Sequence, residues 1–141
     1  MPTSQESVET VKQRVAACSC GQLSAIALGE PVRVSICHCL ACQRRSGSVF
    51  AAQARFLKEC VTIRGTAKQY VRVSDEGNQV VFNFCPHCGA TVYYQVGDEA
   101  QSIAIAVGAF ADPGFPAPSF SVYEERMHAW VGLPENIEHM A

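Results

Sequence analysis

The chain has 141 residues, 48% hydrophobic and 17% charged, enough to build one ordinary globular core without covalent staples. Its net charge of -2, from 11 Lys and Arg against 13 Asp and Glu, excludes the basic footprint of a general nucleic-acid or acidic-membrane binder. No apolar run approaches the ~18 residues of a membrane span, and no basic-then-apolar leader opens the chain, so a cytoplasmic protein is expected.

Residues 1 to 13 are polar around Val8 and Val11 and predict a loose tail or a short frayed helix. Beyond them the apolar residues keep a period near two in Leu23–Leu28, Val32–Ile36, Val61–Ile63, Tyr70–Val73, Val80–Phe84, Thr91–Val96 and Ser102–Val107, which predicts short β-strands. Turn residues separate them at Gly29–Pro31, Gly65, Asp75–Asn78, Gly97–Asp98 and Asp112–Gly114, and Asp75–Asn78 is the strongest hairpin signal. The one helix expected is brief, Leu40–Arg45. Pro113, Pro116 and Pro118 then interrupt regular structure before Phe120–Tyr123, and this segment with the tail carrying Trp130 is expected to wrap the sheet. The reading is a single all-β domain of antiparallel sheets over residues 14–134, with residues 135–141 as a C-terminal tail. An edge strand of such a domain offers a surface for a homodimer.

Eight cysteines in a reducing compartment point to metal or redox chemistry rather than to disulfides. They fall as Cys18-x-Cys20, Cys37-x-Cys39-x-x-Cys42, Cys60 alone, and Cys85-x-x-Cys88. Cys85-Pro-His-Cys88-Gly89 has the form of a zinc knuckle, in which backbone N–H groups point at both sulfurs and the following glycine turns left-handed. A structural zinc takes four ligands, so a second pair must come from elsewhere. Cys18-x-Cys20, followed by Gly21, offers two sulfurs, whereas the 37–42 group offers three and would leave one unused. Pairing Cys18, Cys20, Cys85 and Cys88 therefore uses the sulfurs consistently; a disulfide or unmetallated buried thiols are the alternative.

Cys37, Cys39 and Cys42 remain as three thiolates within six residues, and three protein ligands with an open fourth position are the arrangement of a catalytic zinc. Two other readings stand beside it: a second structural zinc closed by His38, Cys60 or His87, and a redox-active Cys39–Cys42 pair. Arg44 and Arg45 follow at once, either to offset the negative site and hold an anion or as an exposed basic pair. His38 lies between two ligand cysteines and should point away from their metal; His87 should be exposed in the knuckle turn. Cys60 reads as a small buried hydrophobe, His128 and His139 as solvated, and Phe82, Phe84, Tyr93 and Tyr94 as core aromatics.

Four motifs, Cys18-Ser-Cys20-Gly21, Cys37-His-Cys39-Leu-Ala-Cys42-Gln-Arg-Arg-Ser-Gly47, Phe84-Cys-Pro-His-Cys-Gly89 and Val107-Gly-Ala-Phe110, precede the late Trp130. In order and spacing they resemble the glutathione-dependent formaldehyde-activating enzymes and the centromere-protein-V-like proteins, over about residues 15 to 134. The resemblance implies a β-tent fold, a structural zinc on Cys18, Cys20, Cys85 and Cys88, and a second zinc on Cys37, Cys39 and Cys42. The implied activity is that of a carbon–sulfur lyase joining glutathione to formaldehyde as S-hydroxymethylglutathione. On that reading Arg44 or Arg45 grips a carboxylate of glutathione, and Ser46 and Gly47 offer backbone donors. The chain departs from the family pattern at Ser121, where a histidine is usual, and at Ala129, where a proline commonly precedes the tryptophan. The expectation is a zinc enzyme acting on a small-molecule thiol such as glutathione, against a non-catalytic zinc-binding or thiol-binding module as the alternative. A chromatin-associated role is disfavoured by the charge.

Overall fold

The computed structural model describes residues 11–97 and 101–140. The polar segment 1–10 and the turn residue Asp98 lie outside the described residues. A small sheet holds β1 (Gln13–Ala17), β2 (Ser24–Leu28) and β5 (Val61–Arg64) in the order β1-β2-β5. The large sheet is formed by β3 (Arg33–Cys37), β4 (Ala51–Leu57), β6 (Lys68–Val73), β7 (Gln79–Phe84), β8 (Thr91–Val96), β9 (Ser102–Ala106), β10 (Phe120–Val122) and β11 (Glu138–Met140). Its order is β11-β10-β3-β4-β9-β8-β7-β6. One short α-helix, α1 (Leu40–Ser46), interrupts the strands. No helix among the described residues is long and apolar enough to cross a membrane.

The mostly β fold follows the sequence periodicity, with informative exceptions. β1 begins at Gln13, inside the segment expected as tail. Its buried positions are Arg14 and Ala16, so no apolar alternation announces it. Arg14 is accommodated because its guanidinium donates to the Gly29 carbonyl at 2.7 Å, pairs with Glu30 at 3.2 Å and lies over Phe115. β4 was equally illegible, since its sequence alternates alanines with Gln53 and Arg55, yet it is a central strand. Phe120–Val122 does not wrap the sheet but joins it. β10 runs parallel to β3 on one side and to β11 on the other, so the large sheet is mixed at this edge rather than wholly antiparallel. Residues 135–141, expected as tail, contribute β11, anchored by buried Ile137.

The two faces of the large sheet carry different residues. One face packs on the small sheet. Ala16, Ala25 and Ala27 meet Val34, Ala54, Phe56, Ile103 and Ile105 in the main core. Between β7 and β8 the register slips, so Thr91 rather than Val92 pairs with Phe84, and Val92 turns into this core as the extra residue of a bulge. The opposite face carries Cys37, Ser35 and Arg33 of β3 with Phe82, Tyr94 and Val80 farther along. Phe56 is 1% exposed and packs on Phe110 at 6.1 Å between ring centroids. Phe56→Ala is expected to cost about 3–5 kcal/mol in urea unfolding, through lost apolar burial and the cavity left behind.

Candidate functional site

The Sγ atoms of Cys18, Cys20, Cys85 and Cys88 all lie within 4.8 Å of one another. Cys18 and Cys20 are 3.7 Å apart and Cys20 and Cys85 3.6 Å apart, near the edge of about 3.8 Å that a tetrahedron with metal–sulfur bonds of about 2.3 Å requires. Two turns, each ending on a left-handed glycine, deliver them. Gly21 N–H donates to the Cys18 carbonyl and Gly89 N–H to the Cys85 carbonyl, with φ of +84° and +83°, as the knuckle reading requires. The amides of Leu23 and His87 then donate to Cys18 Sγ and Cys85 Sγ, each at 3.3 Å. His87 itself is exposed and outside the cluster.

Gln22 is the residue of this site that the spacing of cysteines did not disclose. Its side chain donates to the Thr66 carbonyl at 2.7 Å, accepts from the Thr66 amide at 3.0 Å, and donates to Cys85 Sγ at 3.1 Å. Gly65 permits the approach: a Cβ there would stand 1.8 Å from the Gln22 carbonyl oxygen. Burial opposes ionisation of Cys85. The hydrogen bonds from Gln22 and from the Cys88 and His87 amides outweigh it and bring its pKa down to about 5. Cys85 is thus prepared as a thiolate, while Cys20 beside it is pushed up to about 11.

Cys37, Cys39 and Cys42 form a second cluster, with all three sulfurs within 4.8 Å of one another. Cys37 ends β3, Cys39 is the N-cap of α1, and Cys42 lies in its first turn. Cys39 Sγ accepts the Cys42 amide at 3.3 Å, so the sulfur doubles as a helix cap. Hydrogen bonds from Cys37 and Cys42 hold Cys39 far below the ordinary thiol range, and the bond given to Cys39 pushes Cys37 far above it. Three adjacent thiolates cannot coexist without a cation, so the three sulfurs titrate as one coupled group. A thiophilic divalent ion such as zinc suits both donor sets.

His38 turns to the opposite side of β3, as its place between two ligand cysteines predicts. It is fully buried, its Nε2 hydrogen-bonded to Ser121 Oγ at 3.0 Å, and burial keeps its pKa low. Ser121, also fully buried, stabilises the Glu124 carboxylate, which with help from His139 stays below the usual range. Ser121 therefore supports the cluster from behind and does not line the cavity. Cys60 sits half-buried in a 3-10 turn away from both clusters. His128 is exposed and bonded to Gln43, whose amide also donates to the His38 carbonyl at 2.8 Å.

Cys37, Cys39 and Cys42 line a cavity of about 520 Å³. Arg33, Arg45, Arg55, Arg72 and Arg126 face it against Asp75, Glu76 and Glu125, an excess of two positive charges. Arg45 is held 4.8 Å over Phe82 and 5.0 Å over Tyr94, with Nη2 3.8 Å from Cys42 Sγ. Tyr94 thus serves as aromatic floor as well as core, its ionisation suppressed by burial. Arg44, Ser46 and Gly47 do not line the cavity. Arg44 is exposed, Ser46 bonds the Phe50 carbonyl, and Gly47 closes α1 with φ of +72°. Sequence adjacency missed Arg72, whose charge favours the Cys39 thiolate, and Tyr123, whose hydroxyl donates to Glu76 at 3.1 Å across the cavity mouth.

A family model described as glutathione-dependent formaldehyde-activating enzyme matches residues 13–126. Among solved structures the chain is similar to a crystal structure of a Rhodobacter sphaeroides protein, a structural genomics target, with 19% sequence identity and a TM-score of 0.55. That alignment covers 72% of this chain and 90% of the other, and at this identity it speaks to the fold. No curated protein matches the chain.

Proposed function

Starting from the fact that the chain belongs to the glutathione-dependent formaldehyde-activating enzyme family, we propose that it adds the sulfur of a small thiol such as glutathione to formaldehyde or a related small electrophile. The reaction is of the carbon–sulfur lyase type, and its place is the cluster of Cys37, Cys39 and Cys42. The observation that carries this reading is that three converging sulfurs, with no fourth protein ligand among the described residues, line a cavity with an excess of arginine. A zinc ion there would supply an open coordination position that acidifies a thiol or polarises a carbonyl. Cys18, Cys20, Cys85 and Cys88 would hold a second zinc as a structural staple.

The chemistry balances without redox change. A bond forms between the thiol sulfur and the aldehyde carbon, and the thiol proton ends on the former carbonyl oxygen as a hydroxyl. Arg45, fixed over two aromatic rings beside Cys42, offsets the negative charge of a three-thiolate site and draws an anionic substrate toward it. In this reading the anion-holding role belongs to Arg45 rather than to exposed Arg44. Because the uncatalysed addition is itself easy, the test must compare rates.

Native mass spectrometry of the purified protein is expected to show two zinc ions per chain and a one-to-one glutathione adduct. Two-dimensional exchange NMR should then show adduct formation and reversal accelerated by catalytic amounts of protein. Adduct without acceleration would leave a thiol-binding module, and no adduct with a closed, inert second metal would overturn the proposal.

A further inference from the structure

The mouth of the three-cysteine cavity lies between two walls that come from distant parts of the chain. One wall is the tip of the β6–β7 hairpin, where Ser74, Asp75, Glu76 and Asn78 line the cavity. The tip is closed on itself, with Ser74 N–H donating to the Asn78 carbonyl at 2.8 Å and Gly77 N–H to the Ser74 carbonyl at 2.9 Å. Behind it, β6 is the last strand of the large sheet, paired with β7 and exposed at five of its six residues. A strand with so little buried surface opens at low cost in free energy. The other wall is Tyr123 with Glu125 and Arg126, and it is anchored. Gln43 Nε2 of α1 donates to the Arg126 carbonyl at 3.2 Å, and Glu124 pairs with His139 of β11.

Tyr123 joins the two walls. Its backbone is left-handed, with φ of +58°, and among the described residues Ala111 is the one other non-glycine residue so held. Side chains disfavour this region, and such a conformation persists where the surroundings hold it. Here the turn that leaves β10 packs Tyr123 against the cluster of Cys37, Cys42 and Ala51, while its hydroxyl reaches Glu76 Oε2 at 3.1 Å. We propose that the β6–β7 tip is a lid over the three sulfurs and that the Tyr123–Glu76 hydrogen bond is its latch. With the latch made, Tyr123 and the tip together cover Cys37 and Cys42, which are 6% and 8% exposed. With it broken, the hairpin swings outward on the exposed β6 edge and the anchored Tyr123 wall stays in place. Closure keeps water from the sulfurs and retains a bound molecule beside them. Tyr123 is thus a positioning residue of the cavity. The lid governs access to the sulfurs, so it holds whether or not thiol addition is the reaction performed there.

The test is alkylation of the full-length protein by iodoacetamide at matched zinc content, with each cysteine followed by peptide mass spectrometry. Tyr123→Phe, which keeps the ring and removes the hydroxyl, is expected to speed labelling of Cys37 and Cys42 about three- to tenfold, the span that one hydrogen bond supports. Cys60, which lies away from the cavity, should change by less than about twofold and serves as the internal control. Glu76→Ala should match Tyr123→Phe, and the double variant should label no faster than either single one. Glu76→Gln keeps an acceptor and should label like the wild type. Glu76 is an exposed turn residue, so Glu76→Ala carries the test if Tyr123→Phe fails to fold. Wild-type rates in both Tyr123→Phe and Glu76→Ala would overturn the latch, as would Glu76→Gln labelling as fast as Glu76→Ala. Faster labelling of Cys60 and buried Cys85 in step with Cys37 would mark a general loosening of the fold and would overturn the lid.

Discussion

Cys85→Ser is expected to lower the metal content by one ion per chain and to leave the protein without a cooperative unfolding transition. Cys85 is fully buried, belongs to the main core, and accepts hydrogen bonds from Gln22 and His87. The cluster it completes ties the β1–β2 turn to the β7–β8 turn, and through Gln22 to Thr66 before β6. A structural zinc contributes about 10–16 kcal/mol of apparent binding free energy in small zinc domains near neutral pH. Whole domains are stable by only about 5–15 kcal/mol, so losing that contribution removes most or all of the margin. Far-ultraviolet circular dichroism with metal counting by native mass spectrometry provides the check. A Cys85→Ser protein melting within a few degrees of wild type would show that the four sulfurs do not share a stabilising ion.

Cys39→Ser separates the second cluster from the fold. Its sulfur caps α1 by accepting the Cys42 amide, and a serine hydroxyl is among the best caps, so the cap itself should change stability by no more than about 1 kcal/mol, any further loss being that of the ion the cluster holds. The ligand set, in contrast, loses one of its three sulfurs. One zinc ion per chain, loss of the glutathione adduct and a fall of at least about 100-fold in catalysed adduct formation are expected, since even residues that only support a metal ligand change affinity or activity about 10–100-fold. Adduct formation at the wild-type rate in Cys39→Ser would move the chemistry away from this cluster.

The same pair of substitutions marks how far the sequence could be read. Both clusters were legible because a cysteine pair flanking a tight turn is a local device: the φ of a glycine and the amides of the next few residues set the sulfur directions. Counting sulfurs then left one consistent partition, and the structure brings the same four and the same three together. The turn at Asp75–Asn78 and the helix from Leu40 were legible for the same reason. β1 and β4 were not, because hydrophobic alternation reports strands only when the inward face is apolar. Arg14 in β1 is held by pairing with Glu30, and Gln53 and Arg55 in β4 face a cavity.

By itself the sequence determined the two cysteine clusters, the β class and the family motifs, since these rest on spacing within a turn or alternation within a strand. Only the tertiary structure decided which distant groups surround the sulfurs. Gln22 meets Cys85 across 63 residues, Ser121 meets His38 across 83, and Glu76 meets Tyr123 across 47. It placed Arg45 rather than Arg44 at the cavity, and set Arg33 against Arg55 on the same face as Cys37. Such neighbours follow from strand order and register, which minimise the free energy of the whole packed chain and leave no mark in any short stretch of it.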